Sequence, residues 1–416
     1  MNNSTQLTPV DEALEYLLAQ VSITQQIESV PLYAAKGRIL AQGQTSKINV
    51  PPWANSAMDG YAVRFSDLQS NKPLHISQRI PAGALGTSLE SNTAARIFTG
   101  APIPEGADTV IMQEQCSVTD GRVALPTAAD GVQQGQNIRG QGEDVVAGQQ
   151  VLAAGKRLRA QELGLLASVG VATVPVYKKL KIAVLSTGDE LIEPGTLPTP
   201  GKIYNSNRYT LEALIEALDM ECIALGIVAD SRDATEAALR KGAAQADIVI
   251  SSGGVSVGEE DHVKAVIEQW GFLHLWKLAI KPGKPFAYGE FDGTPVLGLP
   301  GNPSAVLVTF LILARPYLLK KQGASTIPTS AMIATADFDV TKKSIRRHYL
   351  HSRLEFPPQQ SNAANLELPK AQLYTNQSSG MLSGSSWADG LTVIEIDETV
   401  NRGDRVMFYR FSDLLA

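Results

Sequence analysis

Cysteine, clustered histidine, long basic blocks and long apolar runs are all scarce in this chain. Only two of its 416 residues are cysteine, Cys116 and Cys222, far apart and without a CxxC pattern. Neither a thiolate zinc site nor a structural disulfide is expected. The five histidines lack ligand spacing such as HExxH. A metal used here would therefore be a hard cation such as Mg2+, held by carboxylates and phosphate oxygens. The net charge of −6 has no basic block within it, which argues against a nucleic-acid surface. The longest apolar stretch, AVLVTFLILA at 305–314, is far short of the roughly 20 residues a membrane span needs and reads as a buried helix. The opening MNNSTQLTPV has neither a basic segment nor an apolar one, so nothing in it suggests export. A reducing cytoplasm fits.

What is present points to a multidomain α/β plus β protein. The length exceeds one ordinary core and implies about two to four domains. Thr8, Pro9 and Asp11 suit a capped helix start, with Asp11 closing a capping box. Val10, Ala13, Leu14, Leu17, Leu18 and Val21 then recur at helical spacing. An N-terminal helical region over 1–44 is expected to join 145–178 as a linking region, with helical pieces near 28–44 and 156–170. Between them, 45–144 alternates short β-branched runs with Gly and Pro, as in RIFTGAPIPEGADTVIMQE, and reads as an inserted strand-rich domain. Residues 179–326 alternate strands (KIAVLS, CIALGIV, DIVIS) with amphipathic helices near 206–219, 231–245 and 261–270. That pattern predicts a doubly wound, mainly parallel sheet. Residues 327–416 read as a small barrel-like β domain.

Chemistry concentrates in loops that follow the predicted strands and so gather on one sheet edge. These are STGDEL at 186–191, Asp230 in VADSRD, SSGGVSVGEED from 251, and GLPGNPSA at 298–305. Ser251, Ser252, Gly253, Gly254 and Ser256 could cradle a phosphate, and the turn at Pro300 and Pro303 leads into a helix with the same potential. A single glycine-rich turn often only connects elements, and Asp230 with Asp233 could simply form a capping box. Four such loops on one edge are harder to dismiss. Glu190, Asp230 and Asp261 beside an anion site would repel it unless a cation such as magnesium bridges them. Lys277 and Lys281 alternate with apolar residues, as on one face of a strand, and suit an oxyanion. A second constellation lies outside this domain: Asp59 in PPWANSAMDGYAV, and Arg139 with Asp144 in NIRGQGEDV. Each could be an ordinary turn.

NSAMDGYA, TGAPIPEGADTV, RGQGED, LSTGDEL, SSGGVSVGEED, KLAIKPGKPFAYG and GLPGNPSA occur in this order. Together they resemble the MoeA family, molybdopterin molybdenumtransferase, to which the C-terminal region of gephyrin is related. The resemblance implies the last step of molybdenum cofactor synthesis. Molybdate enters adenylylated molybdopterin at its dithiolene sulfurs, and AMP leaves with Mg2+ assistance. It also implies a homodimer with a site shared between subunits, served by molybdopterin adenylyltransferase and molybdoenzyme maturation proteins, without nucleic acid or membrane. Carried over by motif position, Asp59, Thr99 and Asp144 reach in from the partner subunit. Glu190, Asp230 and Asp261 serve the metal and the pterin nucleotide. Lys277 and Lys281 bind the oxyanion, Pro300 and Pro303 shape the pocket, and Ser379 is the C-terminal contribution. One departure stands in RRHYLHSR at 346–353. The family's R-x-x-[FY]-x-R pattern places an arginine where this chain has His351, exchanging a permanent charge for a titratable one. Arg347 and Arg353 are the candidates to compensate. A pterin-binding scaffold without chemistry, and a pyrophosphatase acting on another adenylate, are the competing readings.

Overall fold

The computed structural model describes residues 7–255, 262–328, 331–357 and 367–415. At its centre is a six-stranded sheet in the order Glu221–Val228, Lys181–Thr187, Ile248–Ser252, Thr294–Leu299, Pro285–Phe291, Gly271–Lys277. The first three pairings are parallel and the last two antiparallel. Runs such as IAVL and IVIS are apolar or small throughout because helices cover both faces. On one face, Leu211, Leu214 and Ile215 from Ser206–Ala217 pack with Phe310 and Leu311. On the other, Leu239 from Arg232–Gln245 meets Val263, Val266 and Ile267 from His262–Trp270. The apolar run at 305–314 lies in the helix Pro303–Lys321, which is mostly buried inside the protein.

From Lys181–Thr187 the chain moves to the edge strand Glu221–Val228, then crosses back to Ile248–Ser252 on the other side. Strand order reverses between Lys181–Thr187 and Ile248–Ser252. Open α/β sheets bind ligands in the crevice at the carboxyl ends of such strands.

Five strands close into a C-terminal barrel: Arg347–Glu355, Lys370–Leu373, Met332–Ala336, Arg405–Arg410 and Gly390–Ile394, which pairs back to the first. Ile280–Lys281 adds to it in parallel, so the barrel is stitched to the α/β domain. The inserted sheet runs Thr109–Met112, Gly60–Val63, Thr93–Ile97, Leu74–Ile80, Arg122–Ala124, Ser117–Thr119. Its apolar residues form clusters of their own. By contrast, Val10, Ala13 and Leu17 of the first helix and Tyr349, Leu391 and Val393 of the barrel share one core with the central sheet.

Two local expectations are corrected. The first helix, Val10–Ala19, has Pro9 at its cap position and no side-chain cap. Asp11 instead forms a forked pair with Arg347, at 2.9 and 2.8 Å, because a guanidinium offers a carboxylate two donors at once. The segment near 28–44 is not helical. Ile27–Pro31 is a strand paired antiparallel with Thr173–Tyr177, followed by a short 3-10 turn at Leu32–Ala34. Alternating burial along IESVP, a period of two, wins over the weak helical pattern.

Candidate functional site

A cleft of about 810 Å³ opens at the switch point, between the central sheet and the barrel. Thr187 reaches it from the end of the strand Lys181–Thr187, Glu190 from the loop that follows, and Ser252 from the end of Ile248–Ser252. Pro300, Asn302 and Pro303 form a further wall, Lys281 and Lys284 another, and Arg346, Gln377 and Ser379 close it from the barrel side. Glu190, Ser252, Lys281, Pro300, Pro303 and Ser379, all candidates from the sequence, thus line one cleft.

Three asparagines, Asn205 and Asn207 buried and Asn302 exposed, hold the loops in register. Asn207 Nδ2 donates to Gly301 O at 2.7 Å and to Ser252 Oγ at 3.1 Å. Asn205 caps Ser206–Ala217, its side chain accepting from Arg208 N at 3.4 Å. Asn302 Nδ2 donates to Ser379 Oγ at 3.1 Å, and Ser304 N donates to Ser379 O at 3.0 Å, so the barrel loop is fastened onto the Pro300–Pro303 turn. None of the three asparagines was a sequence candidate. The available signal was NSN at a helix start, which is capping chemistry.

Gly253 and Gly254 adopt φ +96° and +70°, a left-handed path that a side chain would strain. Gly253 N already donates to Leu299 O at 3.1 Å, so this N–H is not free for an anion. Ser256 and Asp261 lie outside the described residues. Asp230 does not line the cleft, but its N–H donates to Asp189 Oδ1 at 3.1 Å, fastening its loop to that of Glu190. The capping box of Asp230 with Asp233 is not formed. Ser231 is the cap, its Oγ accepting from Ala234 N at 3.4 Å.

Lys277 and Lys281 do not share a strand. Lys277 ends the edge strand Gly271–Lys277, and Lys281 belongs to the separate Ile280–Lys281. Only Lys281 lines the cleft, since the break at Leu278 and Ala279 turns the chain toward the barrel.

The second constellation stands apart from the cleft, which no residue of 45–144 lines. Asp59 Oδ1 accepts from Thr99 N at 2.8 Å and Thr99 Oγ1 at 2.7 Å. These bonds, the backbone one first, hold its carboxyl below the usual range, with Arg96 nearby adding to the effect. Arg96 spans the Asp59 turn, donating to Gly60 O at 2.9 Å and to Gln113 Oε1, while Gln113 N donates to Asp59 O at 3.0 Å. Arg139 pairs with Asn55 beside this turn, and Asp144 is exposed, its N–H on Val50 O at 2.9 Å.

Three family models match in succession: the MoeA N-terminal region (domain I and II) over 8–170, a probable molybdopterin binding domain over 183–320, and the MoeA C-terminal region (domain IV) over 334–411. The chain belongs to the MoeA family. A molybdopterin molybdenumtransferase of Haemophilus influenzae is 48% identical over 316 residues, 76% of this chain and 78% of that protein. One from a Nostoc species is 41% identical over 317 residues, 74% and 72%. The molybdopterin biosynthesis moeA protein of Pyrococcus horikoshii OT3 superposes with a TM-score of 0.81, covering 98% of this chain and 100% of that one at 29% identity. MoeA relatives are therefore transferases of molybdenum cofactor biosynthesis.

Against that family pattern, His351 is 4% exposed, its Nε2 2.9 Å from Ser385 Oγ. Burial pushes its pKa down to about 4, so it is neutral at pH 7. It does not face the cleft, but its backbone holds a residue that does: His351 N donates to Gln377 Oε1, and Gln377 Nε2 to His351 O, both at 2.9 Å. Neither expected substitute compensates. Arg347 is spent on Asp11 and on Glu395 at 2.7 Å, and Arg353 stacks 4.6 Å over Trp387 and donates to its carbonyl.

Proposed function

We propose that this chain carries out the final step of molybdenum cofactor synthesis: molybdate is inserted into adenylylated molybdopterin, and AMP is released with Mg2+. The observation that carries the reading is the switch-point cleft itself. It is roomy enough for a pterin nucleotide, and among the described residues it sets Lys281, Lys284 and Arg346 against one carboxylate, Glu190. In this reading Lys281 holds an oxyanion, Pro300 and Pro303 shape the floor, and Ser379, fixed by Asn302, contacts the ligand from the barrel side.

Among the described residues no group of three His, Cys, Asp or Glu side chains could hold an ion. Magnesium is usually bound through one or two carboxylates plus substrate phosphates rather than by an all-protein cage. Glu190, with Asp230 on the loop fastened beside it, fits that lesser demand, and Asp261 is assigned with them. A bound Mg2+ would neutralise charge developing on the phosphate oxygens. Positioning and charge compensation by the chain's own residues account for the rest.

Asp59, Thr99, Arg139 and Asp144 enter this reading through a homodimer in which the partner subunit brings them to the cleft. Their separation from the cleft within one chain supports that arrangement. Molybdopterin adenylyltransferase as donor, maturation proteins as acceptors and a cytoplasmic location belong to the same proposal.

The test is AMP release from adenylylated molybdopterin with magnesium, with and without molybdate. Molybdate-stimulated release coupled to active cofactor supports the transferase. Tight binding without release would identify a carrier, and molybdate-independent cleavage of other adenylates a pyrophosphatase.

A further inference from the structure

One arginine lies wholly inside the protein. Arg315 is 0% exposed, part-way along the helix Pro303–Lys321, and its helical neighbours Leu313, Ala314, Tyr317 and Leu318 belong to the core of the central sheet. Its Nε, Nη1 and Nη2 atoms have no hydrogen-bond partner among the described residues. Burial pushes its pKa down to about 10, with Arg157 adding to the effect, so the group stays charged at pH 7. An ionised group out of water is strongly unfavourable unless it is paired and hydrogen-bonded.

The titratable neighbour that acts on Arg315 is a second cation. Arg157 Nε donates to Gly37 O at 3.3 Å, and its Nη2 to Ala217 O at 3.2 Å, at the end of the helix Ser206–Ala217. The carboxylate acting on Arg157 is Asp219, which is already paired with Lys179 and stands 3.9 Å from Arg38. Arg38 in turn is paired with Glu28. Along this run of contacts Arg38, Arg157, Lys179 and Arg315 stand against Asp219 and Glu28, an excess of positive charge. Water satisfies hydrogen bonds without balancing charge, whereas an anion does both. A guanidinium with no exposed surface leaves no opening for a bulky organic anion, so the ligand must be small.

We propose that Arg315 holds a small inorganic anion of chloride size, buried where the segments around Gly37 and Arg157 meet the central sheet, with Arg157 as the second cation. Neither arginine lines the cleft, so the site is separate from it and independent of the transferase reading.

Full-length wild type, Arg315→Met and Arg157→Gln are melted in rising chloride at constant ionic strength, with gluconate as the replacing anion. Wild-type crystals soaked in bromide are examined for anomalous scattering. The wild-type midpoint should rise with chloride by at least about 2 °C. Arg315→Met, which removes the charge and keeps an unbranched apolar chain, should lose that response, and Arg157→Gln should weaken it. A bromide peak is expected within hydrogen-bond distance of the Arg315 guanidinium. This measurement needs no variant and decides the question even where Arg315→Met does not fold. A wild-type midpoint indifferent to chloride would overturn the inference, most clearly if Arg315→Met is then the more stable protein, as when an uncompensated buried charge is simply removed. So would a chloride response that Arg315→Met keeps in full, or ordered water in place of bromide. A bromide peak without any chloride response would mark an adventitious ion only, and would overturn it too.

Discussion

The cleft and the Asp59 turn hold their polar groups in different ways. Around the cleft, the central sheet delivers Ser252 and the loop of Glu190, the strand added to the barrel delivers Lys281, and the core beneath also includes the first helix and the barrel. Among the described residues its cations outnumber its carboxylates, Lys281, Lys284 and Arg346 against Glu190. The Asp59 turn sits on a sheet with a separate core, and its carboxylate is already satisfied at one oxygen by Thr99. The first arrangement waits for a ligand, and the second is preorganised and waits for a site. In the proposed homodimer the fixed carboxylate of one subunit would meet the cation-lined cleft of the other, which is the physical content of the shared-site reading.

Removing the fixed carboxylate is the largest expected effect. Asp59→Asn should slow AMP release by about 100-fold or more while leaving the thermal midpoint within a degree or two, because the turn lies outside every buried cluster. Normal turnover with a clearly lowered midpoint would make Asp59 structural and break the comparison. Mixing Asp59→Asn with Glu190→Gln subunits should restore part of the activity, and proven heterodimers that stay inactive would refute the shared site.

On the cleft side, Lys281→Met should raise the substrate or molybdate KM by about 10-fold, the worth of one charge-assisted contact. Lys277→Met, which lies off the cleft, should change it less than twofold. Equal effects would mean that the two lysines act together after all.

The barrel wall can be tested through pH. His351 is pushed from 6.5 down to about 4 by burial, so its folded-state pKa lies below its unfolded one. The stabilisation is complete above pH 6.5 and is lost as pH falls toward 4, by roughly 3 kcal/mol at most. Wild type should lose thermal stability across that window, and His351→Gln should flatten the slope. A smaller effect is expected at the cleft's outer edge. Ser231→Ala should cost about 1 kcal/mol, as loss of an N-cap does, whereas Asp230→Asn should leave the helix unchanged. A reversal would restore Asp230 as the cap.

Much of the fold was legible because periodicity reports local burial. KIAVLS, DIVIS and the Leu211, Leu214, Ile215 stripe each name their element, and strand–helix alternation implies the parallel sheet and its functional edge. The segment near 28–44 was misread because its strand is short and its partner, Thr173–Tyr177, lies well over 100 residues downstream. The two lysines were misplaced because alternation cannot reveal that a strand stops. Asn205, Asn207 and Asn302 were missed because they act on backbone and neighbouring side chains, and capping residues look the same whether or not a site lies behind them.

The ordered motifs alone determined the MoeA family, the α/β sheet and most of the candidate residues, since each motif is a contiguous run whose chemistry travels with it. Tertiary structure decided which charges face the cleft. In RRHYLHSR the residues sit side by side, yet Arg346 lines the cleft, Arg347 binds Asp11, His351 is buried and Arg353 stacks on Trp387. Arg346 lies just before the strand Arg347–Glu355, while Arg347, His351 and Arg353 share one parity along it, so the partners that claim each side chain, which come from elsewhere in the chain, decide where each one ends up.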